Sequence, residues 1–279
     1  MLRVEILISV VMQKFTRDNL NRLIDFHIHC GIQHNSSYPV DVVSRTVLSS
    51  PVKKAVISSL SSIVSPEYGE NDLLELSAWP EFVLTYWVNP YLKEWQQRVH
   101  NIKERIKLVG VKLHPTANIY EPTKEFLKPV FQYCRENKLF ITYHTDTFRS
   151  TPTKLTELLL DYPDVDVVLL HMDDPINSIY LAKRLPNVYL ETSWIERKWH
   201  NLAPLKIALD SVDNSKIFFG TDFPYGFNIN DITKEGESMR TYEDITSFYT
   251  ELLPRETANN LLYGNARRFL ERYGVTFED

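Results

Sequence analysis

Apolar residues along the chain gather into eight short runs that are rich in β-branched and aromatic side chains. Several of these runs are almost continuously apolar, and the run at 165–171 contains a single acidic residue. Such runs are typical of parallel strands that are buried on both faces. The predicted strands span residues 23–30, 54–60, 82–88, 109–114, 140–144, 165–171, 188–192 and 216–221.

Amphipathic patterns of helical period lie between these runs. Three of them open at or beside Pro122, Pro152 and Pro175, and proline is favoured in the first turn of a helix. The predicted helices span residues 71–79, 92–106, 123–137, 153–161, 176–185 and 202–210. Strands and helices that alternate in this way predict an α/β fold, a single (β/α)8 TIM barrel. The alternative is an open doubly wound sheet, which would carry a glycine-rich phosphate-binding turn after the first strand.

The predicted barrel accounts for the whole chain of 279 residues, in which no linker or low-complexity tract appears. Barrels of about 250 residues are single domains. We therefore expect one domain over residues 1–279, with an N-terminal extension at 1–15 and extra C-terminal helices at 240–279. These helices should be interrupted at Leu253-Pro254 and at Tyr263-Gly264. Residues 1–11 fit an added edge strand, a loosely ordered extension, or a translation start placed upstream of a true start at Met12.

Composition restricts the partners and the cellular setting. A net charge of -5 and a pI near 5.9 give no electrostatic reason to expect nucleic acid or an anionic membrane. The apolar stretch at 2–12 is too short to span a bilayer, although it could serve as the contact strand of a homodimer. Two cysteines are too few for a disulfide framework and indicate a cytoplasmic protein. The expected partner is a small-molecule substrate.

Two histidines, His27 and His29, stand at the end of the first predicted strand. Because side chains alternate along a strand, both imidazoles share one face, about 6.5 Å apart. The same alternation turns Phe26 and Ile28 toward the opposite face, where helices would pack. Two imidazoles so placed can chelate one metal ion. An isolated His-x-His is equally well explained by two structural histidines.

Further polar residues stand at the ends of the other predicted strands, which is where functional residues of α/β barrels lie. Five of the eight histidines occupy such positions, accompanied by a lysine and an aspartate. The set comprises His27, His29, Lys112, His114, His144, His171 and Asp222. Three more acids, Asp146, Asp173 and Glu191, stand nearby and could orient the histidines or cap the following helices.

The order His-x-His, Lys, His, His and Asp over predicted strands one, four, five, six and eight resembles the amidohydrolase superfamily of metal-dependent barrels. The segments Gly-Val-Lys-Leu-His-Pro (110–115), Gly-Thr-Asp-Phe-Pro (220–224) and Tyr-Gly-Asn-Ala-Arg-Arg-Phe (263–269) are similar to its amidohydrolase-related branch. That branch includes the aminocarboxymuconate-semialdehyde decarboxylase-like proteins. The resemblance extends from about residue 23 to residue 273.

The chemistry of these residue types gives each of them an expected role. His27, His29, His144 and Asp222 would bind one divalent transition metal. Three imidazoles and a carboxylate suit Zn²⁺, with Mn²⁺, Fe²⁺ and Co²⁺ as alternatives. Asp222 could also accept a proton from a metal-activated water. His171 would polarise the substrate carbonyl or orient the water, and the resemblance implies the same division of roles.

Lys112 admits two interpretations. In binuclear members of the superfamily, a lysine on strand four is carboxylated and bridges two metals, so Lys112, His144 and His171 could hold a second ion. The related branch usually works with one metal, which we favour, and Lys112 would then bind a substrate carboxylate. His114 faces the same way as Lys112. It could line the pocket, or it could orient a metal-binding side chain through a hydrogen bond.

Three functions are compatible with this set of residues. The first is a metal-dependent hydrolase that acts on the amide, ester or lactone carbonyl of a small molecule. The second is a metal-dependent non-oxidative decarboxylase of a small unsaturated or aromatic acid, whose carboxylate Lys112 or a loop arginine would hold. The third, a non-catalytic barrel that binds a metal or another ligand, is disfavoured because every position that catalysis needs is filled.

Overall fold

A computed structural model describes residues 22–33, 36–198, 202–225 and 241–278. In these ranges, nine strands form one sheet that is parallel except for its antiparallel edge strand, β2. The strands are β1 (Leu23–Gln33), β2 (Ser36–Tyr38), β3 (Val52–Ser59), β4 (Phe82–Trp87), β5 (Leu108–Leu113), β6 (Phe140–His144), β7 (Val167–Leu170), β8 (Val188–Glu191) and β9 (Ile217–Phe218). Their order in the sheet is β2-β1-β3-β4-β5-β6-β7-β8-β9. All eight predicted strands are present, and the N-terminal extension predicted at 1–15 lies outside the described residues.

Helices follow most of the strands and cover the outside of the sheet. They are α1 (Val40–Leu48), α2 (Ser61–Val64), α3 (Pro66–Leu76), α4 (Trp95–Lys103), α5 (Lys124–Asn137), α6 (Thr156–Asp161), α7 (Pro175–Arg184), α8 (Ile195–Lys198), α9 (Ala203–Ser211), α10 (Tyr242–Leu252), α11 (Arg255–Asn259) and α12 (Asn265–Glu271). Short 3-10 turns occur at Pro152–Leu155 and Asn214–Lys216, and a π-helical turn at Asn260–Gly264. Within the described ranges, no helix has the length and apolar character that a membrane crossing requires.

Several details differ from the sequence-based predictions. The helix predicted at 71–79 is α3, which begins five residues earlier because Pro66 takes the first helical position after Ser65. Strand β2 and helices α1, α2 and α8 were not predicted. The interruption expected at Tyr263-Gly264 is wrong, because the backbone stays helical there in a π-helical turn that leads into α12.

Backbone hydrogen bonds join the last parallel segment to the first strand. The N–H groups of Phe26, His29 and Asp222 donate to the carbonyls of Phe219 (2.9 Å), Phe223 (2.6 Å) and His27 (2.8 Å), respectively. Among the described residues, these bonds and one isolated parallel bridge take the place of a regular ladder between β9 and β1. The predicted α/β class and the parallel sheet are confirmed, while the complete eightfold barrel stays a prediction.

An aromatic cluster fills the interior of the sheet. The ring of Phe26 on β1 lies 4.7 Å from that of Phe218 on β9 and 5.8 Å from that of Phe140 on β6, measured between centroids. Because β1 and β6 are not neighbours in the sheet, rings on both strands can meet only inside a curled sheet. Phe269 of α12 packs against Phe26 at 5.6 Å, so the C-terminal helix covers one end of this interior core.

The position of Phe26 corrects the expectation that it faces away from His27. The pairing of β1 with β3 is irregular between Asp25 and Ile28, so strict alternation fails at this point. Phe26 therefore packs inside the curl of the sheet, below the histidines, while Ile28 belongs to the larger core shared with the surrounding helices. Because of this irregularity, the apolar ring of Phe26 packs under the base of the pocket.

The role of Phe26 in this core can be tested by urea unfolding. We expect Phe26→Ala to lower the free energy of unfolding by about 3–5 kcal/mol, because it leaves a cavity between the three aromatic rings of Phe140, Phe218 and Phe269. The matched control is Phe148→Ala, whose ring is 76% exposed and should contribute within about 0.5 kcal/mol. Equal effects of the two substitutions would contradict this description of the core.

Candidate active site

A cavity of about 450 Å³ opens where the parallel strands end. This volume lies in the range of small-molecule sites. Its walls combine imidazoles, acids, lysines and aromatic rings: His29, Gln33, Leu60, Trp87, Lys112, His114, His144, His171, Asp173, Trp194, Lys198, Asp222 and Tyr225. The strand ends thus bring most of the predicted site residues into one pocket.

His27, His29 and Asp222 meet at the base of this pocket. Nε2 of His27 lies 3.0 Å from Nε2 of His29. Oδ1 of Asp222 lies 3.5 Å from the first of these nitrogens and 3.3 Å from the second. Both imidazoles are 4% exposed. Two ring nitrogens and a carboxylate oxygen that converge in this way form a compact set of possible ligand atoms.

The backbone around Asp222 explains how its carboxylate reaches the histidines. Asp222 has a φ of +60°, in the left-handed region that non-glycine residues occupy only when their surroundings hold them there. Its N–H donates to the carbonyl of His27 at 2.8 Å. Its Oδ2 accepts a hydrogen bond from Nε1 of Trp194, also at 2.8 Å. The backbone of Asp222 and both oxygens of its carboxylate therefore have defined neighbours.

Asp25 connects β1 to the turn that carries Asp222 through hydrogen bonds. Its carboxyl accepts hydrogen bonds from the N–H of His27 (3.2 Å), from the N–H and hydroxyl of Thr221 (3.0 and 2.5 Å), and from the hydroxyl of Tyr242 (2.9 Å). Complete burial raises the pKa of Asp25 to about 7, against the effect of these donors. Asp25 thereby holds the strand-end turn that carries Asp222 against β1.

Glu191 holds a second group of site residues. Its Oε2 lies 3.3 Å from Nδ1 of His27, and it accepts hydrogen bonds from the hydroxyl of Ser193 (2.8 Å) and the N–H of His171 (3.2 Å). Burial raises the pKa of Glu191 to about 8 although these donors act in the opposite direction. Of the three extra acids, Glu191 is thus the one that contacts a histidine at hydrogen-bond distance.

The other two acids act elsewhere. Asp146 accepts the N–H groups of residues 148, 149 and 150 and so shapes the loop after β6, and its Oδ2 stays 3.9 Å from Nε2 of His144. Asp173 forms an ion pair with Lys198 at the pocket rim. The cap of α7 is the neighbouring Asp174, which accepts from the N–H of Asn177.

A row of stacked rings forms one wall of the pocket. Trp87 stacks on His114 at 5.4 Å, and His114 stacks on His144 at 3.6 Å, between ring centroids. The ring of His171 stands edge-on to His144 at 4.8 Å and to His27 at the same distance. His144 therefore lies in the pocket wall, in contact with the rings of His114 and His171. His114 also lines this wall, which is one of the two roles predicted for it.

Lys112 is fully buried beside the two histidines of β1. Its Nζ lies 3.1 Å from Nε2 of His27 and 5.7 Å from the ring centroid of Trp87. Burial lowers the pKa of Lys112 to about 7, while Asp222 and Glu191 act in the opposite direction. An amine with such a pKa exchanges easily between its neutral and charged forms at neutral pH.

The donor set fits a divalent metal. Ligand atoms of His27, His171 and Asp222 all lie within 4.8 Å of one another. Burial, aided by neighbouring cationic groups, lowers the pKa of His27 and His171 well below its usual value, and lowers that of His144 to about 3. Metals bind the neutral imidazole, so burial keeps these three histidines in the form that coordination requires.

The structure brings together His27, His29 and Asp222 of the four predicted ligands, and a ligand atom of His171 lies within 4.8 Å of those of His27 and Asp222. Ser193 was not predicted to act in the site, and Trp194 was considered only as part of an apolar pocket wall. Both lie just after the end of β8, a position typical of pocket residues. Their hydrogen bonds to Glu191 and Asp222 could not be found from the sequence, because no pattern indicates which strand-end side chains pair.

Comparison with known proteins agrees with this geometry. A family model described as amidohydrolase matches residues 90–272, more than half of the chain. The chain therefore belongs to the amidohydrolase family, whose members are metal-dependent enzymes. This confirms the resemblance to the superfamily and to its aminocarboxymuconate-semialdehyde decarboxylase-like branch. Among curated protein sequences, no match was found.

Solved structures with the same fold include three of particular interest. An uncharacterized TIM-barrel protein from Bordetella bronchiseptica is 18% identical, with a TM-score of 0.70 over 91% of this chain and 99% of its own. A putative 2-pyrone-4,6-dicarboxylic acid hydrolase from Pseudomonas putida is 16% identical, with a TM-score of 0.68 over 92% and 98%. A 5-carboxyvanillate decarboxylase from Sphingomonas paucimobilis is 16% identical, with a TM-score of 0.65 over 90% and 99%.

Metal content measured on purified variants tests the ligand set. We expect His27→Ala to lose bound zinc, because its imidazole lies between His29, Asp222 and Lys112. His100→Ala replaces an exposed histidine on α4 and should keep the wild-type metal content. A His27→Ala protein that retains zinc at the wild-type affinity would contradict the assignment.

Proposed function

We propose that the chain is a metal-dependent hydrolase of a small-molecule amide, ester or lactone. The observation that carries this proposal is the position of Asp222. Its carboxylate meets the buried imidazoles of His27 and His29 while the indole N–H of Trp194 fixes its second oxygen. A carboxylate held beside the expected metal ligands, at the base of a small-molecule pocket, is placed to remove a proton from water.

His27, His29 and Asp222 would hold the metal. His144, predicted as the fourth ligand, and His171, whose ligand atom lies near His27 and Asp222, contribute from the neighbouring wall. One divalent cation in this set would supply a Lewis acid that acidifies water and polarises a carbonyl. We favour zinc because imidazole and carboxylate ligands suit it.

The remaining steps belong to side chains of this chain. Asp222 accepts the proton of the attacking water and can return it to the leaving group. Trp194 keeps the carboxylate oriented through its hydrogen bond to Oδ2. His171 is the catalytic partner across the pocket, 4.8 Å from the ring of His27, where an imidazole can contact the substrate carbonyl or the water.

Substrate would lie between the aromatic wall and the charged base of the pocket. Trp87 and Tyr225 offer flat apolar surfaces, while Lys112 places a buried cation beside them. Such a wall suits a small planar molecule, and an amine in an apolar setting strengthens the binding of an anionic group.

A second candidate function, non-oxidative decarboxylation, is favoured by two cations. Buried Lys112 lies at the base and Lys198, paired with Asp173, at the rim, so a substrate carboxylate could bind at the base or compete with Asp173 at the rim. The similar structures include one named as a hydrolase of a pyrone dicarboxylic acid and one named as a decarboxylase of a carboxylated vanillate. The named substrates of both proteins carry carboxylates, which supports an anionic substrate here without deciding the reaction.

Product analysis with zinc-loaded protein distinguishes the two reactions. We expect lactones and esters of small aromatic acids to release acid, detected by pH-stat titration, and aromatic carboxylic acids to release no CO₂. Release of CO₂ without hydrolysis would replace the first proposal by the second. If neither panel is turned over, the catalytic proposal fails.

Because Asp222 is also an expected ligand, its role as a base is tested at matched zinc content. We expect Asp222→Asn to lower kcat per bound zinc by about 100-fold or more, because an amide cannot accept the proton of water. His171→Ala should also lower kcat while zinc stays bound, measured by metal analysis after gel filtration. Loss of zinc from His171→Ala would instead assign His171 as a ligand, as its distance from Asp222 permits.

A further inference from the structure

One hydroxyl group, that of Ser193, contacts two site histidines at once. Its Oγ lies 2.8 Å from Nδ1 of His171 and 3.3 Å from Nδ1 of His27. The same oxygen lies 2.8 Å from Oε2 of Glu191. All four residues are buried, with side chains that are at most 5% exposed. Protein groups, rather than bulk water, therefore decide where the protons of this cluster lie.

One arrangement of donors uses every acceptor of this cluster, and it requires Glu191 to be ionised, the form that a divalent cation in the adjacent site would favour. A serine hydroxyl has one proton and two lone pairs. Oε2 of Glu191 already accepts the N–H of His171, and as a carboxylate oxygen it can also accept the proton of Ser193. The two lone pairs of Ser193 then remain for N–H donors, and the two nearest ring atoms are Nδ1 of His27 and Nδ1 of His171.

We propose that Ser193 is a positioning residue that keeps both His27 and His171 protonated on Nδ1 and unprotonated on Nε2. Glu191 imposes this hydrogen-bond direction because it accepts the hydroxyl proton of Ser193. The carboxylate of Glu191 packs closely over Gly220, where a Cβ atom would come within 2.2 Å of Oε1. Ser193 thereby sets the tautomer of His171, and it shares that role at His27 with Oε2 of Glu191, which lies at the same 3.3 Å from Nδ1.

The consequence differs for the two rings. For His27 the free lone pair is on Nε2, the atom that faces His29 and Asp222, which is the form that a ligand needs. For His171, which lines the pocket, Nε2 can accept a proton or a hydrogen bond but cannot donate one. His171 would then orient the attacking water as an acceptor, which excludes its polarising a substrate carbonyl as a neutral donor. This last step rests on the proposed function, whereas the tautomers do not.

Nitrogen-15 NMR of histidine-labelled, full-length protein in the presence of zinc tests the tautomers without any substrate. We expect the His171 ring, identified by its disappearance in His171→Gln, to show a protonated Nδ1 and an unprotonated Nε2. Ser193→Ala should shift a measurable fraction of His171 to the Nε2-protonated form. Ser193→Thr keeps a hydroxyl and should restore the wild-type pattern.

The matched control is Ser178→Ala, which removes a buried serine hydroxyl that makes no hydrogen bond to the described residues and lies on α7, outside the pocket. Its spectrum should equal that of the wild type. The inference is overturned if His171 is protonated on Nε2 in the wild type, or if Ser193→Ala leaves its spectrum unchanged. Either result would mean that Glu191 or another group sets the tautomer.

Kinetics separate this inference from the proposed function. With any ester or lactone that is turned over, we expect Ser193→Ala to lower kcat by about 10- to 100-fold with little change in KM, and Ser193→Thr to recover most of the loss. If the tautomers shift as expected but no substrate is turned over, only the proposed function fails. If turnover proceeds and Ser193→Ala changes neither kcat nor the spectrum, only the role of Ser193 fails.

Discussion

The contact between β1 and the turn that carries Asp222 is the constraint on which the site depends. Two backbone hydrogen bonds, from Asp222 to His27 and from His29 to Phe223, join segments almost 200 residues apart. They bring the two ends of the curled sheet together and, in the same step, place a carboxylate against two imidazoles. The site therefore forms only when the sheet does, and neither segment alone supplies a set of ligands.

Two buried acids stabilise this contact from opposite sides. Asp25 collects donors from β1, from the turn at Thr221 and from α10, while Glu191 collects donors from the ends of β7 and β8 and approaches His27. Burial raises the pKa of both carboxyl groups. Burying such groups costs free energy unless their acceptor atoms are filled, and here almost every neighbour is a donor. These acids fix the positions of the site residues through their hydrogen bonds.

The sequence predicts the strands and the strand-end residues well, because both depend on local pattern. Continuous apolar runs identify buried parallel strands, and parallel strands place their carboxyl ends at one edge, so His144, His171 and Asp222 could be expected in one pocket. The packing of Phe26 could not be predicted, because one irregularity in β1 breaks the alternation on which the prediction rests. The link between Ser193 and His27 also escapes prediction, since it joins residues 166 positions apart through one oxygen atom. The start of α3 was missed for a simpler reason: its first turn is polar and contains Gly69, so only the later turn shows helical periodicity.

The central claim is that the strand ends form one metal site at the base of the pocket. Crystals of the wild-type protein grown with zinc, measured on both sides of the zinc absorption edge, test it directly. The account predicts an anomalous peak among the imidazoles of His27 and His29 and the carboxylate of Asp222, with His144 and His171 on the adjoining wall. A fully zinc-equilibrated crystal with no anomalous peak at this position, or with its zinc bound elsewhere on the chain, would contradict it.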